Sequence, residues 1–329
     1  MKPIRTTILV ISAFIAVQSS PDAEAQSHRT AQANSHVSQE SPVELSRSGK
    51  HFEAISAIEE ASNDATIADL IAASRSAWAL GLAERSRSYT DRLLANRDFT
   101  GSERARALLS RAILELQESQ FESARAFAER GAQKIPSSEL RAQFWLLIAE
   151  SLKSQGIFSR AEDYYKRASL EGSEESKAES LYYLGETQRR LGMLEEARHT
   201  FTSVPIASQY VGPALRQLME IDFTERDYEG VLLWHTEGSS AAQALFDDPW
   251  TYYAKVTALL ELGRLDDASA TLTSFKIKHS ENNHWYALAE AASEAALIKN
   301  LYPSEHDESS TAFKSVSHTI ADKHSGEGI

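Results

Sequence analysis

LGMLEEA at residues 191–197 returns as LGRLDDA at 262–268. The same outline runs through SGKHFEA (48–54), ESQFESA (118–124), QGIFSRA (155–161) and, more loosely, TERDYEG (224–230). Each copy begins at a turn, carries a bulky residue and closes on a small one. Aligned on Ala54, Ser88 (in the weaker ERSRSYTDRLLA), Ala124, Ala161, Ala197, Gly230 and Ala268, the copies recur at 34, 36, 37, 36, 33 and 38 residues. A period of about 35 residues marks a repeat of helical hairpins.

The residue choices have a physical basis. Gly49, Gly156, Gly192 and Gly263 fall where an antiparallel pair of helices must turn, and glycine takes the left-handed conformation of a helix end at little cost. Five residues later a small side chain lets the second helix approach the first. Three stripes continue small–large–small along that helix: Ala54/Ile58/Ala61, Ala161/Tyr165/Ala168 and Ala197/Phe201/Val204. Trp145 with Ile148, and Leu181 with Leu184 and Gly185, supply the matching knobs and hole on the first helices. Apolar residues recur at three- and four-residue steps in FWLLIAESL (144–152) and LYYLGETQRRLGML (181–194). Prolines 136, 205, 213 and 249 fall at junctions, and no alternating run of strand length is present. Residues 43–300 therefore read as helix after helix.

The chain has 329 residues, 42 % of them hydrophobic, with 34 basic against 47 acidic side chains and a net charge of −13. That is a globular composition whose surface repels a phosphate backbone, so no nucleic-acid partner is expected. At the N-terminus, Lys2 and Arg5 precede the apolar run ILVISAFIAV (8–17), and Ala23-Glu24-Ala25 has the small residues of a cleavage site. Residues 1–25 read as a secretory signal peptide cut before Gln26. The run is too short to span a bilayer, which takes about 20 apolar residues, so no integral membrane segment is expected after cleavage. Residues 26–42 form a polar leader and 301–329 a mostly polar, disordered tail after the interruption at Tyr302-Pro303. Cysteine is absent, which rules out disulfides, a thiol nucleophile and Cys-based metal sites. Secretion without cysteines or an Asn-x-Ser/Thr sequon points to a bacterial periplasm.

The repeat resembles the tetratricopeptide repeat. Residues 142–175 carry Trp145, Ile148, Ala149, Leu152, Gly156, Ala161, Tyr165 and Ala168 at its signature places. Residues 178–205 carry Leu181, Leu184, Gly185, Gly192, Ala197 and Phe201. The unit from 105 keeps Leu108, Ala112, Ala124 and Pro136 but has Arg111 where leucine belongs. The unit from 249 keeps Tyr252, Leu259, Gly263, Ala268 and Leu272 but has Lys255 there. The stretches around 69–98 and 211–240 depart further, and their register stays open. The resemblance implies an all-α, right-handed superhelix (an α-solenoid) of about seven hairpins, closed by a capping helix at His284–Asn300.

Motifs of nucleophilic, phosphate-binding and zinc-dependent enzymes (GxSxG, P-loop, GxGxxG, HExxH) are missing. The histidines are scattered, and Glu195-Glu196 and Asp266-Asp267 suit the first turns of second helices. No enzyme activity, cofactor or metal is expected. By the resemblance, inner-face positions of the first helices would hold a partner. These are Leu146, Glu150 and Lys153 in one repeat, Tyr182, Glu186 and Arg189 in the next (with Glu179), and Trp250, Tyr253 and Thr257 (with Leu260) in a third. Aromatic anchors among charges suit a peptide laid in a groove. Leu146/Glu150 and Tyr182/Glu186 occupy the places of the Lys and Asn that clamp C-terminal carboxylates in this family, so that subtype is not expected. The leading expectation is an adaptor for protein partners in the cell envelope, serving assembly, export, division or motility. The alternative is a peptidoglycan- or glycan-binding accessory protein.

Overall fold

The computed structural model describes residues 40–301, apart from 62–63, 134, 136 and 280–282. The expected signal peptide, the expected leader up to residue 39 and the expected tail from 302 lie outside the described residues. Two compact units divide after Ser173. The first holds α1 (Pro42–Arg47), α2 (His51–Ala61), α3 (Ile67–Ala79), α4 (Ala83–Ala95), α5 (Gly101–Gln117), α6 (Phe121–Ala132), α7 (Ser138–Ser154) and α8 (Phe158–Ser169). The second holds α9 (Glu174–Arg190), α10 (Leu194–Thr202), α11 (Val211–Glu225), α12 (Tyr228–Ala241), the single turn α13 (Gln243–Phe246), α14 (Pro249–Glu261), α15 (Leu265–Lys278) and α16 (His284–Leu301). The described residues are all-α, with seven hairpins and one closing helix.

One turn serves all seven hairpins. The amide N–H of the residue entering the second helix donates to a carbonyl five residues back. These bonds are Lys50 to Leu45, Leu82 to Ala77, Gln120 to Glu115, Ile157 to Leu152, Met193 to Gln188, Asp227 to Asp222 and Arg264 to Leu259. This closure needs a left-handed residue just before the donor. Gly49, Gly81, Gly156, Gly192 and Gly263 supply it at φ 70–78°. In the two remaining turns Ser119 (φ 61°) and Arg226 (φ 63°) take that conformation without being glycine.

The turns fix the register that the sequence left open. Five residues beyond the left-handed position lie Ala54, Ser86, Ala124, Ala161, Ala197, Val231 and Ala268, each at most 1 % exposed. Two positions of the sequence alignment are thereby corrected. Ser88 is exposed and Ser86 is the buried contact. Gly230 is displaced by Val231, because Arg226, not Glu225, turns the chain. The intervals become 32, 38, 37, 36, 34 and 37 residues.

The stripes behave as their spacing demands, with Ala161, Tyr165 and Ala168 fully buried and Ala197, Phe201 and Val204 nearly so. Ala61 departs from this: it ends α2 and is exposed. Burial of each large side chain contributes about 2–3 kcal/mol. The expected hole at Gly185 is present, since a Cβ there would come within 2.6 Å of the Phe201 ring. Pro249 opens α14 at its first turn, where Asp248 caps the Trp250 and Thr251 amides. Pro213 lies in the first turn of α11. In α16, Tyr286 and Ala289 are buried in a cluster with Tyr252, Val256 and Phe275, while its last turns leave Leu297, Ile298 and Leu301 exposed.

Candidate functional site

In the second unit the expected binding residues are joined by neighbours the sequence reading did not single out. On α9 the Tyr182 hydroxyl donates to Glu186 Oε1 at 3.1 Å. One turn on, Arg189 is exposed and pairs with Glu220 Oε2 of α11 at 2.6 Å. Glu220 also meets Arg216 Nε at 3.4 Å. The Arg216 guanidinium lies 4.6 Å from the centre of the Trp250 ring, donates to the Leu245 carbonyl at 2.8 Å and pairs with Asp248. Phe223 sits 5.9 Å from both Trp250 and Tyr253, and Tyr253 is 5.1 Å from Trp285 of α16. Charged and aromatic groups thus form one connected surface over α9, α11, α14 and α16. Thr257 lies one turn beyond Tyr253 and is half-buried.

Arg216, Glu220 and Phe223 recur on α11 at the spacing of Tyr182, Glu186 and Arg189 on α9, once Arg226 is taken as the turn residue. They escaped the sequence reading because that turn has no glycine. Trp285 escaped because it belongs to the closing helix. The phenols are hydrogen-bond donors at neutral pH. Burial, and then the Glu186 carboxylate, push the Tyr182 hydroxyl up, and burial does the same to Tyr253.

The three residues expected in the first unit serve the fold more directly. Leu146 is withdrawn into the packing of α7, only 7 % exposed. Glu150 accepts from the Tyr165 hydroxyl at 2.9 Å and pairs with Lys153 at 2.8 Å, and the Lys153 ammonium lies 5.9 Å from the Tyr165 ring centre. These groups satisfy one another. The first unit instead has a small recess of about 30 Å³, enough for one water, among Ile71, Arg75, Trp78, Glu103 and Arg106. Burial lowers the Arg75 guanidinium's pKa, opposed by Glu103.

The sequence departures at the leucine place are accommodated differently. Arg111 pairs with Asp91 at 3.0 Å and with Glu115, its guanidinium 4.9 Å from the Phe127 ring centre. Lys255 is half-buried beside a cleft, with no ion pair among the described residues. Among the described residues no three histidine or carboxylate side chains gather as a metal site requires. None of the described helices is long and apolar enough to cross a membrane.

Residues 71–139 match the tetratricopeptide repeat family model. The match falls on the hairpins turning at Gly81 and Ser119, not on the 142–175 unit whose residues resemble the repeat most fully. No curated protein sequence matches the chain. Among solved structures the chain is similar to one described as the APC/C hetero-tetramer Cut9–Hcn1, at 13 % identity and a TM-score of 0.45, covering 78 % of this chain and 48 % of that one. It is also similar to a Rap protein complexed with competence and sporulation factor, at 17 % identity and a TM-score of 0.45, covering 96 % of each chain. A third is the Rap conjugation gene regulator of plasmid pLS20 in complex with the Phr* peptide, at 14 % identity and 0.41, covering 93 % of this chain and 89 % of that one. With the family match on two hairpins and the same turn closing all seven, the described residues are built of tetratricopeptide-like helical hairpins.

Proposed function

We propose that this protein is a non-enzymatic scaffold that binds a peptide segment of a protein partner, and that it does so in the periplasm. The observation that carries the binding part is the connected surface of Arg189, Glu220, Arg216, Trp250, Phe223, Tyr253 and Trp285. Half-buried rings held in place by neighbouring rings lose little freedom on binding, and tryptophan, tyrosine and arginine are the residues that anchor interfaces. Arg189 and Glu220 at one end offer polar groups to a peptide's own charges or backbone. The periplasmic part rests on the apolar run 8–17, the Ala23-Glu24-Ala25 site and the lack of cysteine.

A photo-crosslinking residue placed at Thr257, and in a second strain at Arg189, tests the reading in the source cells. The expected result is one envelope protein captured from both positions but not from Ile277, an 80 % exposed control on α15. The chain that carries the crosslinker should itself begin at Gln26. Capture from Ile277 alone, or a chain that keeps Met1 and stays in the cytoplasmic fraction, would sink the corresponding part.

A further inference from the structure

A second site lies on a different set of helices. Between α12, α14 and α15 a cleft of about 430 Å³ is bounded by Leu232, His235, Tyr252, Lys255, Leu259, Arg264, Asp267 and Ser274, among others. That is the size range of small-molecule pockets. It sits between the second helices of successive hairpins, whereas the surface described above is built on first helices and α16.

Two substitutions into the repeat create the cleft's chemistry. His235 stands where Tyr165 and Phe201 place a large ring in their hairpins, nine residues beyond the left-handed turn. Lys255 stands where Ile148 and Leu184 sit, eight residues before it. Successive hairpins therefore put two basic residues at normally apolar places, and both face the same space.

The polar inventory is uneven. Arg264 is engaged with Asp267, through two contacts of 2.8 and 3.0 Å. The hydroxyls of Thr236, Thr271 and Ser274 donate to carbonyls of their own helices and keep lone pairs free to accept. His235 Nδ1 is 3.4 Å from the Ser239 hydroxyl, and its buried Nε2 has no partner among the described residues. Among the described residues Lys255 makes no ion pair, with the Asp267 charge acting on it and the Arg264 charge opposing. Burial lowers its pKa, so its ammonium is held at a cost that a bound anion would remove.

We propose that this cleft binds a small organic monocarboxylate, with Lys255 as its counter-ion and its hydrocarbon body against Leu232, Leu259 and Tyr252. One negative charge fits better than two. Of the charged groups lining the cleft, Arg264 and Asp267 cancel, which leaves Lys255, and Asp267 would repel a dianion.

Benzoate is the probe, with benzyl alcohol as its uncharged counterpart, titrated by calorimetry into the full-length protein. Saturable benzoate binding is expected, with benzyl alcohol much weaker. Lys255→Met should weaken benzoate by about ten- to a hundredfold, the worth of one charged hydrogen bond, while Lys255→Arg retains it. Thermal melting confirms that both variants fold, and Lys255→Met should melt no lower than the parent because it removes an unpaired, half-buried charge. Absence of saturable benzoate binding to the parent, or equal affinity in Lys255→Met, overturns the proposal.

Discussion

The hairpins α7–α8 and α11–α12 have the same backbone plan and opposite interiors. Counted from the left-handed turn residue, Leu152 of the first corresponds to Asp222 of the second, Gly156 to Arg226, Ala161 to Val231, Tyr165 to His235 and Ala168 to Gly238. In α7–α8 the places other than the exposed turn hold a fully buried set, Leu152, Ala161, Tyr165 and Ala168, and Tyr165 hydrogen-bonds Glu150 through its hydroxyl. In α11–α12 a carboxylate only 1 % exposed takes the leucine's place. It accepts from Trp234 Nε1 at 2.6 Å and is paired with Arg198 of α10. Gly230 leaves room for it, since a Cβ there would lie 2.1 Å from Asp222 Oδ2. The glycine that looked like the motif's small contact residue accommodates a charge instead.

A hairpin repeat thus tolerates a buried charge when it is paired, as Asp222 is, and becomes sensitive at a buried polar group such as His235 Nε2 that has no partner among the described residues. The most disruptive way to test it is Asp222→Ala, which leaves the Trp234 N–H without its acceptor and Arg198 with Glu225 as its remaining carboxylate. We expect a loss of about 2–4 kcal/mol, read from denaturant unfolding followed by tryptophan fluorescence. A midpoint equal to the parent's would show that the network contributes nothing.

The next effect depends on pH. Burial, reinforced by Lys255 and Lys278 and opposed by Asp247 and Asp248, pushes His235 down from 6.5 to about 4. Between those values the unfolded chain binds a proton that the folded chain refuses. Stability is therefore intact above about pH 6.5 and falls as the pH drops toward 4, by up to about 3 kcal/mol. His235→Tyr installs the aromatic of α8 and should remove that part of the acid sensitivity. If parent and variant lose stability in parallel from pH 7 to 4, His235 is not its source.

The smallest change concerns the turn. Arg226 is left-handed with a Cβ, at φ 63°, where Gly156 has none. Arg226→Gly should gain about 1 kcal/mol and Gly156→Ala should lose a similar amount, both measured by thermal unfolding. Opposite signs at equivalent places would sharpen the comparison, and equal signs would break it.

Legibility in the sequence followed these interiors. Where α7–α8 and α9–α10 use glycine, alanine and aromatic residues, spacing alone gave the turn, the close approach and the buried ring. Around Arg226 it misplaced the buried contact by one residue, because a left-handed arginine has no sequence signature. The same error hid Arg216, Glu220 and Phe223, three of the seven residues of the connected surface. The burial of Leu146 was hidden for a different reason: an apolar residue beside the inner face packs inward or outward according to its neighbours.

By itself, then, the sequence determined the helical-hairpin repeat and its period, because left-handed turns and close helix approaches demand residue types that spacing reveals. The expected signal peptide and leader remain readings of the sequence. Only the tertiary structure decided which residue turns each irregular hairpin, which charges are paired, and that His235 and Lys255 share one cleft. Those outcomes depend on contacts between residues of neighbouring helices, and a one-dimensional pattern does not encode which side chains meet there.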